Sequence, residues 1–262
     1  MIIFFDIDGT LITEDGKAVI PKSTTEALKE ASERGHKLYI NTGRTYSNVE
    51  DKIRQLGFDG YVCGCGTYIE CEGKVQLDLE VPEEVALKIR ELAYECNVNA
   101  AFEHRDAIYI DERVSERPGL SELKGSFKKQ KKWGFKNALD EAFGFAKLVA
   151  WYDEKSDLEG FRNGTEEYFD FIDRGNGFLE LAVKGYSKGT AIVRICKLYG
   201  VDIADTVAVG DSMNDAAMLE AAGHGVCMGN GREELKKISE FVTDDIYNDG
   251  LAKALRHYGI IL

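Results

Sequence analysis

Long apolar runs are missing from this sequence. No stretch approaches the ~20 residues that cross a bilayer as a helix, and Asp6 breaks the first apolar run before a signal-peptide core could form, so no leader is expected. Basic residues are in deficit. Thirty-three Lys and Arg face 46 Asp and Glu, for a net charge of −13. That balance argues against a nucleic-acid surface or an anionic membrane as partner, because both need clustered Lys and Arg. The six cysteines, Cys63, Cys65, Cys71, Cys96, Cys196 and Cys227, show neither CxxC pairs nor His partners at zinc spacing. They read as reduced core thiols of a cytoplasmic protein, and a metal site on Cys63, Cys65 and Cys71 would lack a fourth ligand. None of the four histidines, His36, His104, His224 and His257, stands near the aspartate-bearing stretches in a way that suggests catalysis, and no serine sits in a nucleophile elbow.

Aspartates are what is left to carry chemistry. Ile2 to Phe5 is an apolar run of strand length, continuous enough to be buried on both faces, and it stops at Asp6-Ile7-Asp8-Gly9-Thr10. Residues two apart in a strand point the same way, so Asp6 and Asp8 can serve one site at the strand's C-terminal end before Gly9 turns the chain. Open parallel sheets bind ligands at that edge. Taken alone, such a pair reads equally as a solvated turn.

The rest of the chain supplies the sheet. With 262 residues and 44% hydrophobic content there is enough for one large domain or a core with a second module. After a polar loop turning at Glu14-Asp15-Gly16, a helix is predicted from Pro21 through Arg34, then a strand from His36 to Ile40 that ends at Asn41-Thr42-Gly43-Arg44. A helix from Tyr46 to Leu56 and a strand from Tyr61 to Cys63 follow, a rotation that predicts a parallel sheet with right-handed crossovers. Tyr68 to Leu79 reads as a hairpin about Glu72-Gly73. Gly64-Cys65-Gly66 does not have the spacing of a dinucleotide loop.

From Pro82, whose helix to Cys96 carries Val85, Ile89, Leu92 and Ala93 on one stripe, the rhythm changes. Hairpin strands across Arg105-Asp106, strands at 145–151, 168–173 and 178–183 and a helix at 156–164 predict an inserted α+β domain with a mostly antiparallel sheet, at 82–184. Its Lys124 to Lys132 run reads as a solvated face. A helix from Lys188 to Tyr199 and a strand from Thr206 to Val209 ending at Gly210-Asp211 then restore the first pattern. The helix Asn214 to Ala222 and two further strand-helix units complete a discontinuous core, 1–81 and 185–262. The fold class is thus α/β, a Rossmann-like parallel sheet with helices on both faces and an inserted domain.

Asp6-Ile7-Asp8-Gly9-Thr10, Asn41-Thr42-Gly43-Arg44, Ser187-Lys188-Gly189-Thr190 and Gly210-Asp211-Ser212-Met213-Asn214-Asp215 resemble, in type and order, the four motifs of the haloacid dehalogenase superfamily of phosphohydrolases. The long interval between the second and third is similar to that of the Cof-type sugar-phosphatase branch, whose inserted domain is a type IIB cap. One departure is Gly64-Cys65-Gly66, near which relatives usually carry Asn-Gly.

The resemblance implies a hydrolase acting on small phosphorylated metabolites such as sugar phosphates. Asp6 would be the nucleophile that forms an aspartyl-phosphate, and Asp8 the acid that protonates the leaving alcohol and then, as base, activates water. Thr10 would orient Asp8. Thr42, the Gly43 amide and Lys188 would bind the phosphoryl group, with Asn214 on phosphate or metal water. Magnesium would be held by Asp6, the Asp8 carbonyl and Asp211, with Asp215 on a metal-bound water. Asp211 and Asp215 equally suit helix capping, which is compatible with ligation. Arg44 suits either the phosphate or a surface ion pair. A phosphomutase or phosphotransferase would use the same intermediate, and a non-catalytic phosphate-responsive regulator would need neither Asp8 nor a cap. The oligomeric state is not encoded in any pattern seen.

Overall fold

The computed structural model describes the backbone of residues 1–104, 107–130 and 134–262, and the side chains of all of these except 126–130. The chain divides into two compact units, Met1–Asp78 with Gly185–Leu262, and Leu79–Lys184. In order, the first segment of the core is β1 (Ile2–Phe5), α1 (Lys22–Glu33), β2 (Lys37–Asn41), α2 (Asp51–Arg54), β3 (Gly60–Cys63), β4 (Tyr68–Cys71) and β5 (Lys74–Asp78). The inserted unit is α3 (Glu83–Glu95), β6 (Asn99–Glu103), β7 (Ile108–Ile110), α4 (Pro118–Gln130), β8 (Phe135–Asn137), β9 (Lys147–Trp151), α5 (Leu158–Thr165), β10 (Phe169–Gly175) and β11 (Phe178–Val183). The core resumes with α6 (Lys188–Tyr199), β12 (Thr206–Gly210), α7 (Ala216–Ala221), β13 (His224–Cys227), α8 (Glu233–Ile238), β14 (Phe241–Val242) and α9 (Gly250–His257). No helix among the described residues is long and apolar enough to cross a membrane.

The core sheet runs β14-β13-β12-β1-β2-β3-β4-β5. Its first six strands are parallel, and the β4–β5 hairpin extends it antiparallel. β1 lies in the middle, and its period of two divides the core. Ile3 and Phe5 pack with α1 and α9 side chains such as Leu28 and Leu255, while Ile2 and Phe4 pack on the other face with Ile192 and Ile195 of α6 and Met218 of α7. A strand apolar on both faces is therefore covered on both faces, as the composition of β1 requires. Asp6 continues the Ile2–Phe4 side.

The inserted unit has its own sheet, β10-β11-β9-β6-β7-β8, antiparallel except where β8 joins β7 in parallel. One face packs on Ala86, Ile89 and Ala93 of α3 and Phe161 of α5, and the other meets Leu120 of α4. Helix α4 and strand β8 were not anticipated; the Lys-rich stretch that opens at Lys124 masks α4's apolar stripe. Lys124 itself pairs with Glu116. The expected turn at Arg105-Asp106 lies outside the described residues, as does the end of the Lys run.

One predicted helix is broken. Instead of running from Tyr46 to Leu56, the chain makes a 3-10 turn, Tyr46–Asn48, extends at Val49 and Glu50, and forms only the short α2. Arginine side chains explain the break. Arg54 donates from Nε to the Val49 carbonyl at 3.1 Å and from Nη2 to the Tyr46 carbonyl, and Arg44 donates from Nη1 to the Asn48 carbonyl at 3.2 Å. Carbonyls that a continuous helix would offer to amides four residues on are taken by guanidinium groups instead.

The Arg54 guanidinium also lies 4.1 Å from the centre of the Tyr46 ring. Arg54→Ala is expected to destabilise the protein by about 1–3 kcal/mol, the range for two charge-assisted hydrogen bonds and a ring contact. Urea denaturation measures it; an unchanged midpoint would mean that the segment holds its shape without Arg54.

Candidate active site

β1 and β12 are neighbours in register, Phe5 opposite Val209, and so their C-terminal ends release Asp6 and Asp211 side by side. The Asp6 amide still donates to the Val209 carbonyl at 3.0 Å, which holds the first acid at the strand end. Lys188 arrives from the first turn of α6. Ser187 caps that helix, accepting from the Thr190 amide at 3.0 Å, while Thr190 Oγ1 accepts from the Ser187 amide at 2.9 Å. A helix start carries partial positive charge, so a buried lysine there is unfavourable unless acids face it. Two do. Lys188 Nζ donates to Asp6 Oδ1 at 2.8 Å and to Asp215 Oδ1 at 2.6 Å, and it lies 3.4 Å from Asn214 Oδ1.

Asp215 is fully engaged. Its Oδ2 accepts from the Asp211 amide at 2.9 Å and the Ser212 amide at 3.0 Å, so it caps the turn after β12 and binds lysine at once. Asn214 accepts from Ser212 Oγ at 2.8 Å. Thr42 stands at the end of β2, with its Oγ1 accepting from the Arg44 amide at 3.2 Å, and Gly43 lies between them in the same loop. The structure thus brings Asp6, Lys188, Asp211, Asn214 and Asp215 together, with Thr42 and Gly43 at the end of the next strand.

One expectation is corrected and one open reading narrows. Thr10 does not orient Asp8: past the left-handed turn at Gly9 its hydroxyl is carried to Asp211, donating to Oδ1 at 3.4 Å. Arg44, read from sequence as suiting either the phosphate or an ion pair, is seen here in an ion pair. It grips Asp8 with both prongs, Nε to Oδ2 at 2.8 Å and Nη2 to Oδ1 at 2.6 Å.

Other residues that hold the site have no role assigned from sequence. Asn41 Nδ2 donates to the Lys188 carbonyl at 2.9 Å, and Asn230 Nδ2 donates to the Gly9 carbonyl at 2.8 Å. Gly64, Cys65 and Gly66 all take positive φ, and the Gly64 and Cys65 amides donate to the carbonyls of Arg44 and Thr42 at 2.8 and 3.2 Å. An asparagine at a strand end, or one between two glycines as in Gly229-Asn230-Gly231, is the signal that could have marked them. Gly9 is constrained twice: its φ is +75°, and a Cβ there would stand 2.2 Å from Asp211 Oδ2.

The electrostatics follow from burial. Asp6 is pushed up to about 7 by burial and then by the charge of Asp215, against the pull of Lys188. Asp211 is pushed up to about 9 by burial, with Asp6, Asp215 and Glu14 adding to it. Burial works to lower Lys188, but the charges of Asp215 and Asp6 outweigh it and hold the ammonium above its usual range. Asp6, Asp211 and Asp215 each offer a carboxylate oxygen, all within 4.8 Å of one another. Three acids against one buried lysine leave negative charge uncompensated, and hard oxygen donors at that spacing fit a divalent cation.

A doubly wound sheet that delivers acids and a buried lysine to the ends of its parallel strands defines an α/β enzyme whose site lies at the strand C-termini. The family model for haloacid dehalogenase-like hydrolases matches residues 3–255, and the chain belongs to that family, in its Cof-type branch; it is a phosphatase. It is 30% identical over 265 residues to YkrA of Bacillus subtilis (strain 168), spanning 99% of this chain and 98% of that one. It is 27% identical to pyridoxal phosphate phosphatase YbhA of Escherichia coli (strain K12), spanning 96% of each. Among solved structures, the subclass IIB sugar phosphatase BT4131 superposes with a TM-score of 0.82 at 26% identity, covering 99% of both chains.

The raised acids give a pH dependence with a definite sign. Stability that Asp6 and Asp211 contribute in their protonated forms is present below their unfolded value near 3.8 and is lost as pH rises through about 7 and about 9. A divalent cation binds the ionised forms, so the rise in melting temperature that it produces over a chelator control should be larger at pH 8.5 than at pH 6. Thermal melts measure this; an increment that is flat or falls with pH would contradict it.

Proposed function

We propose that the protein is a magnesium-dependent phosphomonoester hydrolase acting on small phosphorylated metabolites such as sugar phosphates, through an aspartyl-phosphate on Asp6. The observation that carries the reading is Lys188, buried and 2.8 Å from Asp6, with Asp211 beside them at the end of the adjacent strand. A carboxylate attacking a phosphate dianion must be freed of charge repulsion, and a fixed ammonium with a metal site does that without reorganisation.

In the first half-reaction an Asp6 oxygen bonds to phosphorus, the bridging P–O bond breaks, and a proton passes from Asp8 to the departing alcohol oxygen. In the second, water attacks phosphorus, its proton goes to Asp8, and the Asp6–phosphorus bond breaks to release inorganic phosphate. Thr42 and the Gly43 amide bind phosphoryl oxygens and Lys188 neutralises the transferring group. Magnesium, held by Asp6 and Asp211 with the Asp8 carbonyl, would supply charge neutralisation at the phosphoryl oxygens. Asp215 keeps Lys188 and the turn after β12 in place and would hold a water of the cation. The inserted unit is assigned to substrate choice, in keeping with the phosphorylated metabolites named for the relatives.

Purified protein with magnesium should release phosphate from a panel of phosphomonoesters that includes an aryl phosphate and several sugar phosphates. Asp6→Asn should lower turnover by roughly 10⁴-fold or more, the scale on which removal of a nucleophile acts, while the folded circular-dichroism spectrum at assay temperature is retained. Phosphate release at the wild-type rate by Asp6→Asn would remove Asp6 from this role.

A further inference from the structure

Both oxygens of the Asp8 carboxylate are held by one guanidinium, through the Nε and Nη2 edge of Arg44 at 2.8 and 2.6 Å. The opposite corner of that guanidinium is fixed as well. Nη1 donates to the Asn48 carbonyl at 3.2 Å and lies 3.5 Å from Glu50 Oε1, and Glu50 Oε2 is paired with Lys52 at 2.8 Å. The Arg44 backbone is anchored by Thr42 Oγ1 and by the Gly64 amide. Its side chain is 22% exposed, against 42% for that of Asp8. The break between Asn48 and Asp51 therefore has a use: it turns the Asn48 carbonyl and Glu50 toward Arg44.

We propose that Arg44 is the positioning residue of the proton-transfer step: it aims the Asp8 carboxylate and does not itself bind the transferred phosphoryl group. The inference rests on the assignment of Asp8 as acid and base. A planar two-pronged contact suits that task because Asp8 changes protonation state twice per turnover. When a proton occupies Oδ1, the prong from Nη2 is displaced while Nε still donates to Oδ2, so the carboxyl group keeps its orientation. When the proton leaves for the alcohol oxygen, the second prong re-forms. A lysine, with one compact charge, lacks this geometry.

The consequence is a dependence on the leaving group. An alkoxide needs a proton as the bridging bond breaks, whereas a nitrophenolate does not, so loss of aim at Asp8 should penalise alkyl phosphates selectively. A phosphate ligand, by contrast, serves every substrate alike.

The test compares kcat/KM for an alkyl phosphate and for 4-nitrophenyl phosphate in Arg44→Ala, together with inhibition by inorganic phosphate. Expected are a loss of about 10²-fold or more on the alkyl ester, under about tenfold on the aryl ester, and a phosphate inhibition constant within about threefold of wild type, in line with the usual worth of general acid catalysis. Asp8→Asn should give the same pattern, and the double variant should be no worse than Asp8→Asn alone. Equal losses on both esters, with weakened phosphate inhibition, would overturn the proposal. Should Arg44→Ala not fold, Arg44→Lys and Glu50→Gln carry the same comparison, selective loss supporting the proposal and uniform loss refuting it. Failure of the functional assignment itself looks different, since wild type would then hydrolyse neither ester.

Discussion

A single buried ammonium group holds the site together. Lys188 is 1% exposed and lies between Asp6 and Asp215, which are 6% and 0% exposed. Taking these ions out of water costs several kcal/mol each, and only close, multiply bonded geometry offsets that. One cation against Asp6, Asp211 and Asp215 still leaves excess negative charge, and burial first, with that charge added, lifts Asp6 and Asp211 far above their ordinary range. The same excess makes the cluster receptive to a divalent cation. Stability and chemistry are thus set by one imbalance.

The fold places the partners of Lys188 with few moving parts. Strand ends of β1 and β12 are fixed by a parallel ladder, and the helix that carries Lys188 begins at a reciprocal Ser187–Thr190 cap. Asn41, at the end of β2, bonds the Lys188 carbonyl, so three strand ends and one helix start are tied at a single point. Close approach needs an absent side chain at Gly9, where Asp211 occupies the space a Cβ would take. A site built on rigid element ends has less freedom to lose its geometry than one built on loops.

Much of this was legible in the sequence because it depends on local pattern. The apolar run of β1, the helical stretch from Lys188 to Tyr199 and the Gly210-Asp211 strand end each announce an element, and the order of the four motifs announces their convergence. What escaped depends on which side chain reaches which backbone group. Nothing in the helical periodicity of Tyr46 to Leu56 reveals that Arg44 and Arg54 will take its carbonyls. Thr10 lies two residues past Asp8, yet the turn at Gly9 sends it to Asp211 from the other half of the chain. In the inserted unit, α4 was hidden by its lysines and β8 by its shortness.

The most direct test of the central imbalance is the stability of Lys188→Met as a function of pH, measured by urea denaturation. Leaving Asp6 and Asp215 buried without their cation should cost about 3–5 kcal/mol at pH 8, as for other buried pairs that lose one partner. The deficit should shrink at pH 5, where protons can take the place of the ammonium. A variant as stable as wild type at pH 8, or one whose deficit does not change with pH, would contradict the account.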